Sequence, residues 1–358
     1  MCSAPTPRPS VMSIAPYIGG EAKALPGQKL YRLASNEGAY GPPPKALDAI
    51  RAALPELHRY PDGNCTELRA KLGQLHGIDP AQIVCGAGSD ELIGLLVRAY
   101  AGAGDEVLYS QYGFLMYGIA AKAAGATPIQ ALERNLTADV DALLAAVTPR
   151  TKLLLLANPN NPTGSLLSRT EVARLQASLP SHVLLVLDAA YCEFVDDTGY
   201  SAGDELVRHG NVVVLRTFSK IYALAGPRLG WAHCPPEVAD VLNRIRGPFN
   251  VASLAQIAAL AALEDHAFVA HAKQQNNAVK ASFVASLVAI GLKPYPSAGN
   301  FVLVEFGPKA EEIRLKLKDH GILVRQMGAY QLPTCLRITI GTADDMAFVT
   351  STLQQVLA

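Results

Sequence analysis

The chain has 358 residues, of which 50% are hydrophobic and 17% are charged, so it can bury a sizeable core and is too poor in charge for a disordered protein. Lysine plus arginine and aspartate plus glutamate number 31 each, which leaves a formal net charge of zero. No run of lysine and arginine provides the basic patch that nucleic-acid binding needs. The composition therefore favours a large folded protein without a nucleic-acid partner.

Membrane and export signals are also missing from the sequence pattern. The longest apolar stretch, residues 251–263, is shorter than the roughly 18 to 20 residues of a membrane span. The N-terminus has no basic segment followed by an apolar one, so we expect no signal peptide. The six cysteines lie far apart and form no CxxC pair, which is typical of a reducing compartment. We therefore expect a cytoplasmic protein with no membrane partner.

Along the chain, an irregular segment is followed by alternating strands and helices. Residues 1–30 are rich in proline and glycine and show no periodicity, which predicts an arm that is ordered only by packing on other parts. Beyond it, short runs are apolar nearly throughout, as in a parallel sheet covered on both faces. The predicted strands are 82–85, 106–109, 152–157, 182–187 and 211–216, and the predicted helices between them include 90–100 and 168–178.

The pattern changes beyond residue 245. Residues 251–285 predict one or two long helices, and further on, strands at 301–306 and 336–340 flank a helix at 310–319. We predict an α/β fold of two domains. The large domain spans 31–245 and has a mostly parallel sheet with helices on both faces. An interdomain helix and a smaller α+β domain occupy 246–358.

One motif, Gly86-Ala87-Gly88-Ser89, follows the first predicted strand and opens a helix. A glycine turn at a helix start presents backbone N–H groups and the positive end of the helix dipole, which suits an anion. Glu91 stands where a dinucleotide-binding fingerprint needs its third glycine, so that reading is excluded. Taken alone, the stretch favours an ordinary helix capped by Ser89.

Polar residues also follow three other predicted strands. Asn161 lies in Asn-Pro-Asn-Asn-Pro-Thr-Gly, which could be a simple turn, while Asp188 and Tyr191 follow the next strand. Lys220 comes after Thr217-Phe218-Ser219 and ahead of Arg228. A lone lysine is usually a surface charge, whereas hydroxyls and an arginine beside it can hold a phosphate while the amine acts as a nucleophile. Ligands of open α/β sheets bind at such strand ends.

In this order and spacing, these stretches resemble the pyridoxal-phosphate-dependent aminotransferases of the aspartate aminotransferase fold type, and within them the histidinol-phosphate aminotransferases most. The similarity runs from Tyr17 and Asn36 through Tyr60 to Arg337. The departures are local, since Ala189 stands where the family commonly has Glu and Ala39 where it usually has Pro. The resemblance implies fold type I, pyridoxal 5'-phosphate as cofactor, and an arm that packs on the small domain and on the partner of a homodimer.

The resemblance also implies roles for the cofactor site. Lys220 would bond to the cofactor aldehyde and move the substrate proton, and Asp188 would pair with the ring nitrogen. Tyr191 and Asn161 would hydrogen-bond the phenolic oxygen, while Phe114, or alternatively Tyr112, would stack on the ring. The residues implied for the cofactor phosphate are Ser89, Asp90, Thr217, Ser219 and Arg228, with Tyr60 reaching it from the neighbouring subunit.

For the substrates, the family implies L-histidinol phosphate and 2-oxoglutarate. Arg337 would bind the α-carboxylate, Arg325 and Tyr17 the substrate phosphate, and Asn36 is a further substrate-binding residue. From the residues alone, Arg337 could instead form a surface ion pair, Arg325 a rim charge and Phe114 part of the core. His266 and His271 lie five apart and no HExxH occurs, so no metal site is predicted.

Three other functions compete with this one. An aromatic amino-acid aminotransferase would use the same scaffold. A phosphothreonine-type decarboxylase shares the fold, but Thr217-Phe218-Ser219-Lys220 is more similar to the aminotransferases. A sensor domain of a transcription regulator would need an added helix-turn-helix module, for which we expect the thirty N-terminal residues to be too few.

Overall fold

Two β-sheets and the helices around them form most of the protein. The computed structural model describes residues 5–17, 19 and 29–357. The helices are α1 (Pro9–Met12), α2 (Pro44–Ala53), α3 (Thr66–His76), α4 (Ser89–Tyr100), α5 (Leu115–Ala124), α6 (Val140–Ala145), α7 (Arg169–Ser178), α8 (Pro236–Ile245), α9 (Ser253–Leu263), α10 (His266–Ala289), α11 (Ala310–Asp319) and α12 (Ala343–Leu357). The strands are β1 (Tyr31–Leu33), β2 (Ile83–Gly86), β3 (Glu106–Ser110), β4 (Thr127–Ala131), β5 (Glu133–Arg134), β6 (Thr137–Ala138), β7 (Thr151–Ala157), β8 (Leu184–Asp188), β9 (Val212–Thr217), β10 (Gly230–His233), β11 (Lys293–Pro294), β12 (Phe301–Glu305), β13 (Ile322–Gln326) and β14 (Cys335–Thr339).

The larger sheet has seven strands in the order β2-β10-β9-β8-β7-β3-β4. Only β10 runs antiparallel to its neighbours in this sheet, and the other pairs are parallel. This confirms the predicted mostly parallel sheet, and each predicted strand is present within about two residues of its predicted ends. Strands β4 and β10 of this sheet were not predicted, because β4 contains Pro128 and Gln130 and the four residues of β10 begin with Gly230, so neither forms a continuous apolar run.

Both faces of this sheet are covered. In β7, Leu153 and Leu155 belong to one buried apolar cluster, and Leu154 and Leu156 belong to another. Successive side chains of a strand point to opposite faces, so a strand buried on both sides must be apolar at every position. Burial of each such side chain stabilises the fold by about 1.5 to 3 kcal/mol, which explains the continuous run in the sequence.

The smaller sheet has the order β1-β13-β14-β12-β11, and α10, α11 and α12 pack their apolar residues on it. The segment predicted as one or two long helices is two, α9 and α10. Strand β1 pairs in parallel with β13, so residues 31–33 lie in the smaller sheet although their sequence position precedes the large one. The division into an arm and two domains stays a prediction.

The described part of the arm contacts both halves of the protein. It contains the short helix α1, and the Arg8 guanidinium donates to the carbonyl of Ala123 in α5 at 2.7 Å. Tyr17 lies against Arg325 of β13, with 5.7 Å between the ring centre and the guanidinium carbon. The rest of the predicted arm, residues 1–4, 18 and 20–28, lies outside the described residues, and its packing on a partner stays a prediction.

Candidate active site

A pocket of about 280 Å³ opens where β7, β8 and β9 end. Because these strands are parallel, their carboxyl ends meet at one edge, and the smaller sheet and the segment after β1 close the space above them. Every site residue predicted from the sequence, except Tyr60, lines this pocket: Tyr17, Asn36, Ser89, Asp90, Phe114, Asn161, Asp188, Tyr191, Thr217, Ser219, Lys220, Arg228, Arg325 and Arg337. The structure therefore brings these residues together, while their individual roles stay predictions.

Lys220 places its amine within this pocket. Nζ donates to the carbonyls of Ser35 at 3.2 Å and Asn36 at 3.4 Å. Burial, and then the positive charge of Arg337, lower the pKa of this amine to about 8. A lysine of ordinary pKa is almost fully protonated near neutral pH, whereas here a sizeable fraction is neutral and can act as nucleophile or base.

Asp188 ends β8 and is 6% exposed. Its Oδ2 accepts a 2.8 Å hydrogen bond from the Tyr117 hydroxyl, and its Oδ1 accepts one of 3.2 Å from the N–H of Ala190. Burial raises the pKa of this carboxyl to about 6, although the hydrogen bond from Tyr117 lowers it. The carboxylate is thus held in one orientation, at a place where a cationic partner would stabilise its charged form.

Tyr191 is oriented by Asn36. The Asn36 Nδ2 donates to the Tyr191 hydroxyl at 2.8 Å, and the Thr339 hydroxyl donates to Asn36 Oδ1 at 3.1 Å. Asn36 is 1% exposed and has a positive φ of 56°. Both ends of its amide are therefore engaged with the protein, so its immediate neighbour in this structure is Tyr191, and its predicted contact with substrate stays a prediction.

Arg337 projects from β14 and is buried. One terminal nitrogen donates to Asn161 Oδ1 and the other donates to the carbonyl of Ala34 at 2.7 Å. Among the described residues, its buried Nε has no hydrogen-bond partner. A buried N–H without a partner costs about 1 to 3 kcal/mol, so the site suits an anionic ligand that accepts this bond. The surface ion pair considered as an alternative is wrong.

An anion cradle lies at the start of α4. Gly88, with a φ of 86°, precedes the helix, and Ser89 is its first residue without acting as a side-chain cap, so the alternative of a Ser-capped helix is wrong. A Cβ on Gly88 would lie 2.4 Å from an Arg228 nitrogen, and one on Gly230 would lie 2.4 Å from the backbone nitrogen of Ser89. The two glycines therefore allow Arg228 and β10 to approach the free N–H groups of the first helical turn.

Side chains complete this cradle. Arg228 donates to Asp90 Oδ2 at 3.2 Å and to the Ser219 hydroxyl at 3.4 Å, and the Thr217 hydroxyl accepts from the N–H of Ser219 at 3.1 Å. Backbone N–H groups, hydroxyls and a guanidinium are the donors that bind a phosphate. The residues present therefore fit a phosphate-bearing cofactor.

The remaining predicted residues lie at the edges of the site. Phe114 lines the pocket and Tyr112 does not, so the structure favours Phe114 as the stacking residue. Arg325 lies within β13, which extends to Gln326, and it also lines a neighbouring cleft of about 840 Å³. Tyr60 is 83% exposed and stacks on Phe249 with 4.7 Å between ring centres, away from the pocket of its own chain.

Sequence reasoning missed two residues that hold the site together. Tyr117 follows the predicted stacking residue Phe114 by three positions, one helical turn, and this spacing was the signal that could have found it. Asn300 donates from its Nδ2 to the carbonyls of Asn36 at 3.1 Å and Glu37 at 3.3 Å. A contact across 264 positions of the chain leaves no local pattern.

Known proteins are similar to this chain over nearly its whole length. A model of the aminotransferase class I and II family matches residues 28–353. A histidinol-phosphate aminotransferase from Rhodospirillum centenum is 56% identical over 355 residues, or 98% of either chain, and one from Paramagnetospirillum magneticum is 56% identical over 99% of either chain.

Structural comparison agrees with the sequence. The crystal structure of histidinol-phosphate aminotransferase from Sinorhizobium meliloti in complex with pyridoxal-5'-phosphate has a TM-score of 0.90 and 32% identity to this chain, and covers 98% of this chain and 96% of that one. This confirms the predicted type I fold of pyridoxal-phosphate-dependent transferases. The chain therefore belongs to the class I and II aminotransferases and, within them, to the family of the histidinol-phosphate aminotransferases.

Proposed function

We propose that this protein uses pyridoxal 5'-phosphate to transfer the amino group of L-histidinol phosphate to 2-oxoglutarate, forming imidazole-acetol phosphate and L-glutamate in histidine biosynthesis. The observation that carries this proposal is one pocket that joins the Lys220 amine, the buried Asp188 carboxylate and the buried Arg337 guanidinium. Bound pyridoxal phosphate supplies an aldehyde that takes up the amino group and a ring that accepts electrons.

The cradle at α4 would hold the cofactor phosphate. The N–H groups of Ser89 and Asp90, the hydroxyls of Thr217 and Ser219 and the Arg228 guanidinium supply its donors. Phe114 would pack on the ring face, and Asn161 and Tyr191 would hydrogen-bond the phenolic oxygen. These contacts do not involve Lys220, so noncovalent binding and covalent attachment are separable.

Acid–base roles follow from the environment of each group. The Asp188 carboxylate would hold a proton on the ring nitrogen, since an adjacent negative charge favours the cationic form of that nitrogen. Lys220 Nζ would remove the proton from the substrate α-carbon, which its depressed pKa permits near neutral pH. The neutral fraction of this amine grows as the pH rises through about 8.

Substrate recognition would use two arginines at different depths. Arg337 would bind the α-carboxylate through its unpartnered Nε and a terminal nitrogen. Tyr17 is half exposed and Arg325 is less buried than Arg337, and these two residues would hold the phosphate at the other end of L-histidinol phosphate. Arg325 and Arg337 lie opposite each other on the paired strands β13 and β14. Their separation would set the distance between the phosphate and the α-carboxylate of the substrate.

The active assembly would be a cytoplasmic homodimer. Tyr60 does not line the pocket of its own chain and is highly exposed, and the exposed Phe249 stacks on it, which supports a role in a neighbouring subunit's phosphate site. Within the described part of the chain, no helix is both long and apolar enough to cross a membrane. The five cysteines of that part carry free thiols, as expected in a reducing compartment.

Steady-state transamination tests the proposed substrate. L-Histidinol phosphate, phenylalanine, tyrosine and aspartate would each be supplied with 2-oxoglutarate, and kcat/KM compared. We expect L-histidinol phosphate to be preferred by at least about tenfold, since a charged hydrogen bond to its phosphate contributes about 1.5 to 3 kcal/mol. Preference for phenylalanine or tyrosine would instead identify an aromatic amino-acid aminotransferase.

A further inference from the structure

Tyr117 contacts Asp188, which lines the pocket, but does not line the pocket itself. Its side chain is fully buried in the core on one face of the larger sheet. The hydroxyl nevertheless reaches Asp188 Oδ2 at 2.8 Å, while the N–H of Ala190 contacts Oδ1. Each carboxylate oxygen of Asp188 therefore accepts one hydrogen bond from the protein, Oδ2 from the side chain of Tyr117 and Oδ1 from the backbone of Ala190.

We propose that Tyr117 is a positioning residue that fixes the orientation of the Asp188 carboxylate and keeps it ionised, so that Asp188 can hold a proton on the ring nitrogen of the cofactor. This inference rests on the proposed function. It gives Tyr117 no contact with substrate or cofactor, so its effect is exerted through Asp188.

The direction of the hydrogen bond follows from the burial of the phenol. Burial raises the pKa of Tyr117 well above its ordinary value, so the hydroxyl stays protonated and donates. A donor stabilises the carboxylate more than the carboxylic acid. The other charged groups that act on Asp188 oppose each other, because Asp90 raises its pKa and Lys220 lowers it. The bond from Tyr117 is the largest of the effects that favour the ionised form.

Neighbouring rings prevent the phenol from turning away. Tyr109 meets the Tyr117 ring at 6.0 Å and 70°, and Phe114 meets it at 5.9 Å and 90°. The N–H of Tyr117 also donates to the carbonyl of Phe114 at 2.9 Å. Phe114, which is proposed to stack on the cofactor ring, and Tyr117, which orients Asp188, are therefore held together within one turn of the chain.

Tyr117→Phe removes only the hydroxyl and tests the proposal. We expect kcat to fall about ten- to a hundredfold with KM within about twofold of wild type, because a charge-assisted hydrogen bond is lost from a group that acts in the transition state. Nitrogen-15 NMR of cofactor labelled at its ring nitrogen should show a resonance moved toward that of neutral pyridine. The same spectrum of Asp188→Asn gives the change in chemical shift that is expected when the carboxylate is lost completely.

Tyr109→Phe is the matched control, since Tyr109 is a buried tyrosine of the same core that makes no hydrogen bond to Asp188 in the described structure. It should leave the nitrogen resonance and kcat unchanged, and thermal unfolding of the cofactor-free proteins should show that both variants are folded. Wild-type values in Tyr117→Phe, or equal losses in both variants, would overturn the proposal.

The proposed substrate is judged separately. Rates are measured with L-glutamate, which the proposed reaction forms, as well as with L-histidinol phosphate. Wild-type turnover of glutamate without turnover of L-histidinol phosphate would overturn the substrate, and the nitrogen-15 comparison would still decide the role of Tyr117.

Discussion

At the scale of single residues, two partly buried lysines with similarly depressed pKa values have different surroundings. Burial lowers the pKa of both Lys220 and Lys280 to about 8. Lys280 donates to the carbonyls of Ser297 at 2.8 Å and Gly299 at 2.9 Å, and it does not line the pocket. A depressed pKa is therefore not enough to identify the reactive amine, and the location of Lys220 at the end of β9 decides between them.

Lys220→Ala should abolish transamination and leave a folded protein that still binds pyridoxal phosphate through the cradle at α4. The reason is that covalent attachment and proton transfer need the amine, whereas the phosphate contacts do not. Borohydride reduction of the wild-type holoenzyme followed by peptide mapping should label Lys220 alone. A label on Lys280, whose pKa burial also lowers to about 8, would contradict the assignment.

Arg325→Ala should lower kcat/KM for L-histidinol phosphate about ten- to a hundredfold and affect phenylalanine much less. A charge-assisted bond to phosphate contributes about 1.5 to 3 kcal/mol, and each 1.4 kcal/mol corresponds to a factor of ten. Arg314→Ala is the control, because Arg314 lines the adjacent cleft and pairs with Glu311 at 2.7 Å. Equal losses for both donors would show that Arg325 does not recognise the phosphate.

At the scale of elements, a partly buried ionic cluster connects the loop after β8 to strands β9 and β10. Arg216 immediately precedes Thr217, and its guanidinium contacts Asp204 and lies 3.9 Å from Glu193, two residues after Tyr191. His233 of β10 meets Asp204 at 2.9 Å. The cluster lies near the strand ends that carry the proposed cofactor ligands, so it fixes the relative positions of those ends.

Arg216→Leu should destabilise the cofactor-free protein by about 3 to 5 kcal/mol, because it removes the arginine that two partly buried carboxylates share and leaves only His233 beside Asp204. Urea unfolding of variant and wild type measures this difference. Arg244→Ala breaks the exposed pair of Arg244 with Asp240 on α8 and should hardly change the midpoint. Similar midpoints for the two variants would mean that the cluster does not stabilise the fold.

The sequence predicts those elements whose signal is local. The apolar run of β7 and the helix over residues 310–319 are confirmed, because burial on one or two faces imposes a period on neighbouring residues. Strand β1 has three residues and is held by β13, and Tyr117 is tied to Asp188 across 71 positions. Such features depend on tertiary contacts, which leave no periodicity in the local sequence. For the region around Tyr117, only the similarity of its motif to the family gave an indication.

At the scale of the whole molecule, the pocket of one chain lacks Tyr60, one of the residues predicted to bind the cofactor phosphate. Tyr60 is exposed and stacks on Phe249, and Leu54 and Leu57, just before it in the chain, are exposed as well. Exposed apolar residues concentrated in one region favour an interface between proteins. A symmetric dimer would allow each subunit to give its Tyr60 to the other.

Mixing two inactive or impaired variants tests this exchange. Tyr60→Ala should bind the cofactor phosphate poorly, and Lys220→Ala should be inactive. After subunit exchange, roughly a quarter of wild-type activity should return, since about half of the dimers are hybrid and each hybrid has one site with both residues. Activity no higher than that of Tyr60→Ala alone would indicate that Tyr60 serves its own subunit or none.

The position of β1 has a consequence for the synthesis of the chain. Residues 31–33 leave the ribosome early, but their hydrogen-bonding partner in the sheet, β13, begins only at Ile322. The segment that follows β1 provides the carbonyls that meet Lys220 and Arg337, so a nascent chain with a complete larger sheet still lacks this wall of the pocket. Contacts between such distant residues form late, because closing a long loop costs entropy before the contact repays it. We therefore expect the pocket that encloses the cofactor to be completed only after nearly the whole chain has been made, so an unfinished chain would hold the cofactor phosphate at α4 without enclosing its reactive aldehyde.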